Sequence, residues 1–400
     1  MLKKYFSGLS KDTFLLSATS LFADISTEML YPVLPLYLTQ VLRVDGSIIG
    51  LIEGIATATQ NIAQGFSGWI SDRIQNRKNV ALIGFSLAAI SKPLIGFSAS
   101  WQHVLGARFL DRFGTGTRST PRDALIASSV EEQNRGKAFG LEGFGDNLGA
   151  FLGPLLAIFL LFSLSFSMRT IFYIAFIPGA FAVLMVAFVK EKKQIARTQT
   201  KIKIRIREFP ARYWEYLFVV LVFGMGNSTS AFLILETKSL GASVILTIFI
   251  YALYNLVAAL SSYPAGSLSD KLGRKNILLF AFFVFLLVYV GFAVSKNIVL
   301  IGALFMLYGV YQGVFRAVGK ALATDLSPQH VRASGIGWYS ATVGLSGLAA
   351  SIIAGQLWDK VSHPAVFLYG AAFSFLGILA LLFLVKLKNP LFSSSSTKRQ

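Results

Sequence analysis

A short charged segment near the start of the chain recurs about half a chain length later. Residues 68–78 read GWISDRIQNRK and residues 266–275 read GSLSDKLGRK, so Asp270 follows Asp72 by 198 positions in a chain of 400 residues. Other basic residues recur at this offset or one residue short of it: Arg118 with Arg316, Arg122 with Lys320, and Arg135 with Arg332. Apolar runs flank both copies, which indicates a tandem duplication of one structural unit.

The apolar runs predict the fold class. Hydrophobic residues make up 54% of the chain and charged residues 14%, and the mean hydropathy is +0.62, far from the values of an average soluble domain. A helix that crosses a bilayer needs about 20 mostly apolar residues. Twelve segments meet this requirement, so we predict an all-α membrane protein with 12 transmembrane helices at residues 14–40, 47–70, 80–98, 102–127, 137–161, 170–189, 214–236, 244–267, 276–295, 299–324, 334–357 and 364–385.

The basic residues that give the chain its net charge of +18 lie mainly in the loops on one side of these spans. With a cytoplasmic N-terminus, the cytoplasmic segments hold 25 of the 37 Lys and Arg residues, and the outer segments hold only Arg43, Arg169, Lys238, Lys296 and Lys360. This positive-inside bias predicts a multi-pass protein of the cytoplasmic membrane with both termini in the cytoplasm. We expect the basic loops to face the lipid bilayer and not nucleic acid.

The sequence lacks the residues that several classes of chemistry require. The chain has no cysteine, its three histidines are scattered, and it has no phosphate-binding Gly-x-x-x-x-Gly-Lys-(Ser/Thr) loop. No nucleophile and base stand together in a recognisable pattern. We therefore expect no enzyme activity, no metal site and no cofactor.

The repeated segment resembles the loop signature of the major facilitator superfamily, which lies between the second and third helices of each six-helix half. The matching residues are Gly68, Asp72, Arg73, Arg77 and Lys78, then Gly266, Asp270, Lys271, Gly273, Arg274 and Lys275. The resemblance implies two pseudo-symmetric six-helix bundles with a small-molecule substrate bound between them, and a protein that acts as a monomer. We place the bundles at residues 1–189 and 214–389, a basic cytoplasmic linker at 190–213 and a disordered tail at 390–400.

Features present in both halves are expected to serve the cytoplasmic gate. In the superfamily the loop aspartate meets a helix N-terminus of the opposite half, and the loop arginine pairs with a later aspartate. We therefore predict an ion pair between Arg274 and Asp325, whereas the first half has Asn76 and Ser128 at these two positions and is expected to lack it. The predicted gate residues are Gly68, Asp72, Arg73, Arg77, Asp270, Arg274 and Asp325.

Charges confined to the first half are expected to serve transport. Ionisable groups within a membrane span are costly and usually line a cavity or pair with each other. Six carboxylates and two bases belong to this set, so not all can be ionised without a cation, and we expect some to take up and release protons. We expect Arg112 to pair with Asp24 or Asp146; a static polar network is the alternative. The proton and substrate candidates are Asp24, Glu28, Glu53, Arg108, Asp111, Arg112, Glu142 and Asp146.

The second half offers uncharged polar and aromatic side chains, which can bind an organic solute through stacking and hydrogen bonds. The cavity-facing candidates there are Asn227, Ser228, Thr229, Ser230, Tyr251, Tyr254, Asn255, Tyr308, Tyr311, Gln312, Trp338 and Tyr339. Lys92, in the third span, is expected to snorkel or to pair and not to transport.

The direction of transport is indicated by the fifth span. Gly149, Gly153 and Pro154 resemble the Gly-x-x-x-Gly-Pro motif associated with antiporters of the superfamily, without its trailing glycines. We therefore predict proton-coupled efflux of a small organic compound. Two alternatives stay open: proton-coupled uptake of a nutrient, a metal chelate or an anion held by Arg108 and Arg112, and a non-transporting sensor whose acids are sealed into salt bridges.

Overall fold

The structure is a computed structural model, and it describes residues 8–74, 76–131, 134–191, 208–328 and 331–385. Within these ranges the side chains of residues 68–74, 263 and 333 are outside the description. Residues 192–207 of the predicted linker and the whole predicted tail lie outside the described residues. The domain bounds at 189 and 389 therefore stay predictions.

The described residues form helices and no strand, arranged as twelve helical segments. Their bounds fall within about five residues of the predicted spans. We number them α1a (Lys11–Leu30), α1b (Val33–Gln40), α2 (Gly46–Ile74), α3 (Arg77–Phe97), α4 (Trp101–Ser129), α5 (Arg135–Phe162), α6a (Met168–Ile174), α6b (Phe176–Phe188), α7a (Ala211–Gly226), α7b (Ala231–Ser239), α8 (Val244–Leu272), α9 (Arg274–Val294), α10a (Ile298–Val314), α10b (Lys320–Leu326), α11 (Arg332–Lys360) and α12 (His363–Phe383). A five-residue π-helical turn, Phe315–Gly319, joins α10a to α10b.

Nine of these segments, among the described residues, are long and apolar enough to cross a membrane by composition alone. The other three are α1, α2 and α4, which carry most of the ionisable candidates. Their low apolar content has a physical cause, because the polar groups face other helices and not lipid. Glu53, Arg108 and Asp111, for example, are all buried.

The packing of the helices repeats between the two halves. The pairs α2–α4, α3–α6 and α1–α5 in the first half correspond to α8–α10, α9–α12 and α7–α11 in the second. Between the halves, α2 lies along α11 and α5 lies along α8, and these two contacts are again related by the duplication. The structure thus has the predicted pair of pseudo-symmetric six-helix bundles.

Two helix breaks meet at the centre of the molecule. In α1 the break lies at Tyr31 and Pro32, where proline cannot donate the backbone hydrogen bond that would continue the helix. In α7 it lies between Gly226 and Ala231. The Tyr31 hydroxyl lies 3.4 Å from the Thr229 hydroxyl. These residues are 198 positions apart, the offset of the sequence repeat, so the pseudo-symmetry axis passes between equivalent positions.

The bundles are held together at one membrane side, which we call the opposite face because the described chain ends, residues 8 and 385, lie on the other side. There α2 and α11 approach so closely that a Cβ on Gly50 would stand 2.1 Å from the Ser351 carbonyl oxygen, and one on Gly355 would stand 2.6 Å from the Gly46 carbonyl oxygen. The Asp359 carboxylate accepts hydrogen bonds from the backbone N–H groups of Gly46 (2.8 Å) and Ser47 (2.7 Å). We call this contact the Asp359 cap.

The other membrane side, the terminal face, is more open between α5 and α8. A Cβ built on Gly140 or Gly143 of α5, or on Gly266 of α8, would meet no atom within 4 Å. The three glycines lie in the halves of α5 and α8 that are nearer the terminal face. The bundles are therefore closed at the opposite face and parted between these two helices at the terminal face.

Candidate functional site

A cleft between the bundles encloses about 430 Å³ of empty space, part of it open to solvent. Helices α1a and α5 supply its acidic wall and helices α8 and α10 supply the other. Three carboxylates, Asp24, Glu28 and Asp146, line it and are half-buried. The remaining lining residues are Asn147, Ala150, Tyr254, Asn255, Ala258, Ala259, Ser262, Gln312, Gly313 and Arg316.

The acidic wall depends on the close approach of α1a and α5. A Cβ added to Gly149 would lie 2.5 Å from the Leu21 carbonyl oxygen and 2.9 Å from the Asp24 Cβ, and one added to Gly153 would lie 2.9 Å from the Glu28 Cβ. The motif glycines therefore lie directly against the residues that bear the carboxylates. Small residues allow such helix contacts in a bilayer.

The carboxyl groups of Asp24 and Asp146 both line the cleft, where each lies in the electrostatic field of the other. Asp146 also lies 3.8 Å from the guanidinium of Arg122, which pairs at 3.0 Å with Glu142. The Ser20 hydroxyl donates a 2.9 Å hydrogen bond to Glu142. The predicted pairing of Arg112 with Asp24 or Asp146 is wrong, since Arg122 pairs with Asp146.

Glu28 connects the two bundles. The Tyr251 hydroxyl donates to its carboxylate at 2.9 Å, and the Asn255 amide donates to the same oxygen at 3.1 Å. Asn255 also donates to the Ala150 carbonyl oxygen at 3.1 Å. A carboxylate of the first bundle is thus held by two side chains of α8, in the second bundle.

A second ionic network lies deeper in the first bundle, between α2, α3 and α4. Arg108 binds Glu53 through two parallel hydrogen bonds of 2.9 and 2.7 Å, and it also donates to Asp111 at 2.8 Å. Lys92 donates to the other oxygen of Asp111, and Arg112 lies 3.6 Å from Asp111. Arg108 and Asp111 have no solvent exposure. Paired so completely, Arg108 is not available to hold an anion, which removes part of the basis for the uptake alternative.

The position of Arg112 explains why it does not reach the acidic wall. Its guanidinium donates a 3.1 Å hydrogen bond to the Gln60 side chain and lies over the Tyr31 ring at 5.7 Å. It therefore faces α2 and the break in α1. Arg122, ten residues later on α4, lies on the side of that helix that faces α1a and α5.

The expected surplus of acids is smaller than the first-half set suggested. Lys92 and Arg122 join the two networks, and Arg316 of the second bundle faces the same cleft as the acids. The prediction that Lys92 pairs is confirmed. The repeat of basic residues at positions 118 and 316, and at 122 and 320, was the signal that could have placed Arg122 and Arg316 in the site. Of the candidates in the second half, Tyr254, Asn255 and Gln312 line the cleft.

Comparison with known proteins identifies the fold family. A profile of the Major Facilitator Superfamily matches residues 16–235 and 216–400. The chain belongs to the Major Facilitator Superfamily. The uncharacterized MFS-type transporter MJ1317 of Methanocaldococcus jannaschii is 35% identical over 386 residues, which cover 94% of this chain and 95% of that protein. The multidrug resistance protein MdtG of Proteus mirabilis is 26% identical over 316 residues, 75% of this chain and 78% of that protein.

Solved structures of transporters share the fold. The crystal structure of the nucleoside transporter NupG (D323A mutant) superposes with a TM-score of 0.79 at 15% identity, covering 94% of this chain and all of that one. The superfamily assignment and the relatives identify the protein as a multi-pass membrane transporter of a small-molecule substrate.

The superfamily signature of the second half has the expected ion pair. Arg274 donates to Asp325 and also lies 3.3 Å from Asp270. Within the described residues Asp270 pairs with Arg274 of its own half and caps no helix of the other half, which agrees with the parted terminal face. In the first half the side chains of Gly68, Asp72 and Arg73 lie outside the described residues.

The first copy of the signature uses other groups at the start of α3. The Asn76 side chain accepts from the Asn79 backbone N–H at 3.0 Å, so it caps its own helix. The Glu191 carboxylate accepts from the backbone N–H groups of Arg77 and Lys78, both at 3.0 Å. Acceptors at a helix N-terminus stabilise its unpaired N–H groups. The first half thus replaces the Arg–Asp pair by neutral and acidic caps.

Proposed function

We propose that this transporter exports a small organic compound across the cytoplasmic membrane in exchange for protons. The position of Asp24 and Asp146 on one wall of the cleft carries this proposal. Two neighbouring negative charges repel each other, which favours a shared proton, while Arg122 beside Asp146 and Arg118 near Asp24 favour the charged forms. A cationic solute or a second proton changes that balance, which is what exchange requires.

The sensor alternative requires that these acids be closed off from water in salt bridges. Asp24 and Asp146 instead line the cleft, and the Asp146 side chain is 27% exposed. Deep salt bridges do exist, but they involve Glu53 and Asp111, which lie outside the cleft lining. The arrangement therefore favours a static role for Arg108 and its partners and a transport role for the cleft acids.

The coupling step follows from the bonds of Glu28 to Tyr251 and Asn255. These hydrogen bonds join the bundles while the carboxylate is charged, and protonation removes part of their strength, because hydrogen bonds to charged groups are the stronger ones. Proton release and binding at the acidic wall therefore bias the rocking of one bundle against the other.

Efflux is the direction favoured by the motif and by one relative. Gly149 and Gly153 pack against Asp24 and Glu28, so the antiporter-like motif builds the acidic wall. The related protein MdtG is named for multidrug resistance. The excess of basic residues in the loops supports a cytoplasmic location of the terminal face, and in that orientation the solute enters the cleft from the cytoplasm.

The test is a proteoliposome assay with a pH-sensitive dye inside, in which candidate solutes are added and proton movement is followed. We expect Asp24→Asn and Asp146→Asn to abolish solute-driven proton movement. Glu215→Gln is the matched control, because it removes a carboxylate of α7a that does not line the cleft. Unchanged proton coupling in both aspartate variants contradicts the proposal.

A further inference from the structure

Arg316 is a basic residue of the cleft that the mechanism above leaves unused. It lies in the π-helical turn Phe315–Gly319, and it is exposed to the cleft while its neighbours Phe315 and Val318 are buried. The Tyr216 hydroxyl donates to the Gly319 carbonyl oxygen at 2.8 Å and holds the end of the turn. Single π-helical turns are uncommon and frequently occur at functional sites.

The guanidinium of Arg316 has no hydrogen bond and no ion pair to any residue that the structure describes. Counting about 1.5 Å per residue, it lies roughly 15 Å from the end of α10b, still within a hydrocarbon core about 30 Å thick. A charged group at that depth is costly unless water or a partner stabilises it. The cleft supplies water, and the unused donors are available to a ligand.

The equivalent position in the first half behaves differently. Arg118 is 6% exposed, and its guanidinium lies 4.3 Å above the Phe85 ring inside the first bundle. The duplication therefore placed an arginine at both positions, but only the second copy presents it to the cleft. A purely structural role shared by both halves does not explain this difference.

Glu28 and Arg316 line the same cleft from opposite bundles, yet the two do not form an ion pair. Tyr251 and Asn255 already hold the Glu28 carboxylate. Arg316 thus shares the cleft with a carboxylate that other side chains already bind. A guanidinium with free donors binds carboxylates and similar oxyanions through two parallel hydrogen bonds.

The cleft consequently has opposite charges on its two walls, the Asp24–Asp146 pair on the first bundle and Arg316 on the second. We infer that the carried solute is a small organic zwitterion, whose oxyanion binds Arg316 and whose cationic group binds the Asp24–Asp146 pair. Amides of Asn255 and Gln312 and the Tyr254 ring line the space between these walls and suit a polar or aromatic body. The cationic half of this inference rests on the proposed proton exchange, and the oxyanion half rests on Arg316 alone.

The test uses sets of three solutes with the same body: an amine, a carboxylate, and the amino acid that bears both groups. Phenethylamine, phenylpropionate and phenylalanine form one set, and aliphatic and heteroaromatic sets extend it. Proton movement in proteoliposomes and thermal stabilisation of the purified protein are measured for each member. We expect the zwitterion of at least one set to be preferred at least tenfold over both partners.

Three variants separate the role of Arg316 from a general effect. Arg316→Gln is expected to reduce the preference for the zwitterion over the amine roughly tenfold or more, since a charge-assisted hydrogen bond is lost. Arg316→Lys keeps the charge without the planar guanidinium, so its preference for the zwitterion should lie between those of the wild type and Arg316→Gln. Lys320→Gln removes an exposed charge one turn further along, outside the cleft lining, and should leave the preference unchanged.

The outcomes distinguish this inference from the proposed function. Proton-coupled transport of amines in the wild type, without a preference for the zwitterion of any set, overturns the inference and leaves proton exchange standing. Proton movement with none of the solutes in the wild type counts against both. A zwitterion preference that survives in Arg316→Gln shows that another group binds the oxyanion, and it also overturns the assignment.

Discussion

The Asp359 cap predicts how strongly the opposite face is held closed. The carboxylate of α11 accepts two backbone hydrogen bonds, from Gly46 and Ser47, at the N-terminus of α2 in the other bundle. These N–H groups have no partner within their own helix, and a negative charge there also interacts favourably with the helix dipole. The contact exists only while the bundles are closed on this side. Asp359→Ala should therefore favour the conformation that is open at the opposite face.

The size of the effect follows from the geometry. Replacing an acidic helix cap by alanine costs about 0.5–2 kcal/mol, and the lost charge–dipole interaction adds about 0.3–1 kcal/mol at an exposed site. A total of about 2 kcal/mol corresponds to a shift of roughly 25-fold in the equilibrium between the two conformations, since about 1.4 kcal/mol is tenfold. If the open conformation is the minor one, its population rises by this factor.

The natural absence of cysteine makes the assay direct. Ser351 is 2% exposed and lies where α2 and α11 touch, so Ser351→Cys introduces one thiol that is covered while this face is closed. Intact cells are treated with a membrane-impermeant maleimide, and the rate of labelling reports the open fraction. We expect labelling to be roughly 25-fold faster with Asp359→Ala than without it.

The control removes a similar charge without touching the contact. Asp45 is an exposed acid immediately before α2, and its side chain makes no hydrogen bond to a described residue. Asp45→Ala should change the labelling rate by less than about threefold, the effect of a charge–dipole term without an inter-bundle bond. A rate with Asp359→Ala that stays within twofold of the parent refutes the reasoning.

Three further predictions concern stability and the gate. Arg108→Met leaves the buried Glu53 carboxylate without its basic partner and removes one of the basic partners of Asp111, so it should cost about 3–5 kcal/mol of stability; a thermal unfolding midpoint equal to the wild type argues against the network. Gly149→Ala should lower both this midpoint and transport, because its Cβ meets the α1a backbone at 2.5 Å, whereas Gly143→Ala on the same helix meets nothing within 4 Å and should be harmless; equal effects contradict the packing argument. Arg274→Gln should lower the free energy of unfolding by less than about 1 kcal/mol, since the pair with Asp325 is partly exposed, yet it should change the transport rate. The double exchange Arg274→Asp with Asp325→Arg should restore that rate. If the rate does not recover, the pair has no role in the gate.

The positions of the spans could be predicted from the sequence because the bilayer imposes a simple rule. About 20 apolar residues are needed to cross it, and polar loops must separate them. The resemblance of the second copy of the repeat to the superfamily signature correctly predicted the ion pair between Arg274 and Asp325. The break of α1 at Pro32 was missed, because proline within a span is compatible with either a kinked or a broken helix.

The partners of the charges could not be predicted in the same way. Spacing of four residues places Arg108 and Arg112 on one face of α4, but it does not tell which neighbouring helix that face meets. The structure places this face against α2 and α3, so that Arg112 binds Gln60. Arg122 instead makes the pairing with the acidic wall that was expected of Arg112. Contacts such as the Asp359 cap join residues more than 300 positions apart and have no periodic signal at all.

The division of charges between the halves gives the duplication a mechanistic meaning. In the cleft, the first bundle supplies the acids Asp24, Glu28 and Asp146, and the second supplies amides, an aromatic ring and Arg316. A proton site confined to one bundle influences rocking only if the other bundle senses its charge. Among the cleft acids in the described residues, Glu28 alone accepts side-chain hydrogen bonds from the other bundle, through Tyr251 and Asn255. In the proposed exchange, proton binding and bundle movement are therefore linked at Glu28, while Asp24 and Asp146 bind the cation that is exchanged.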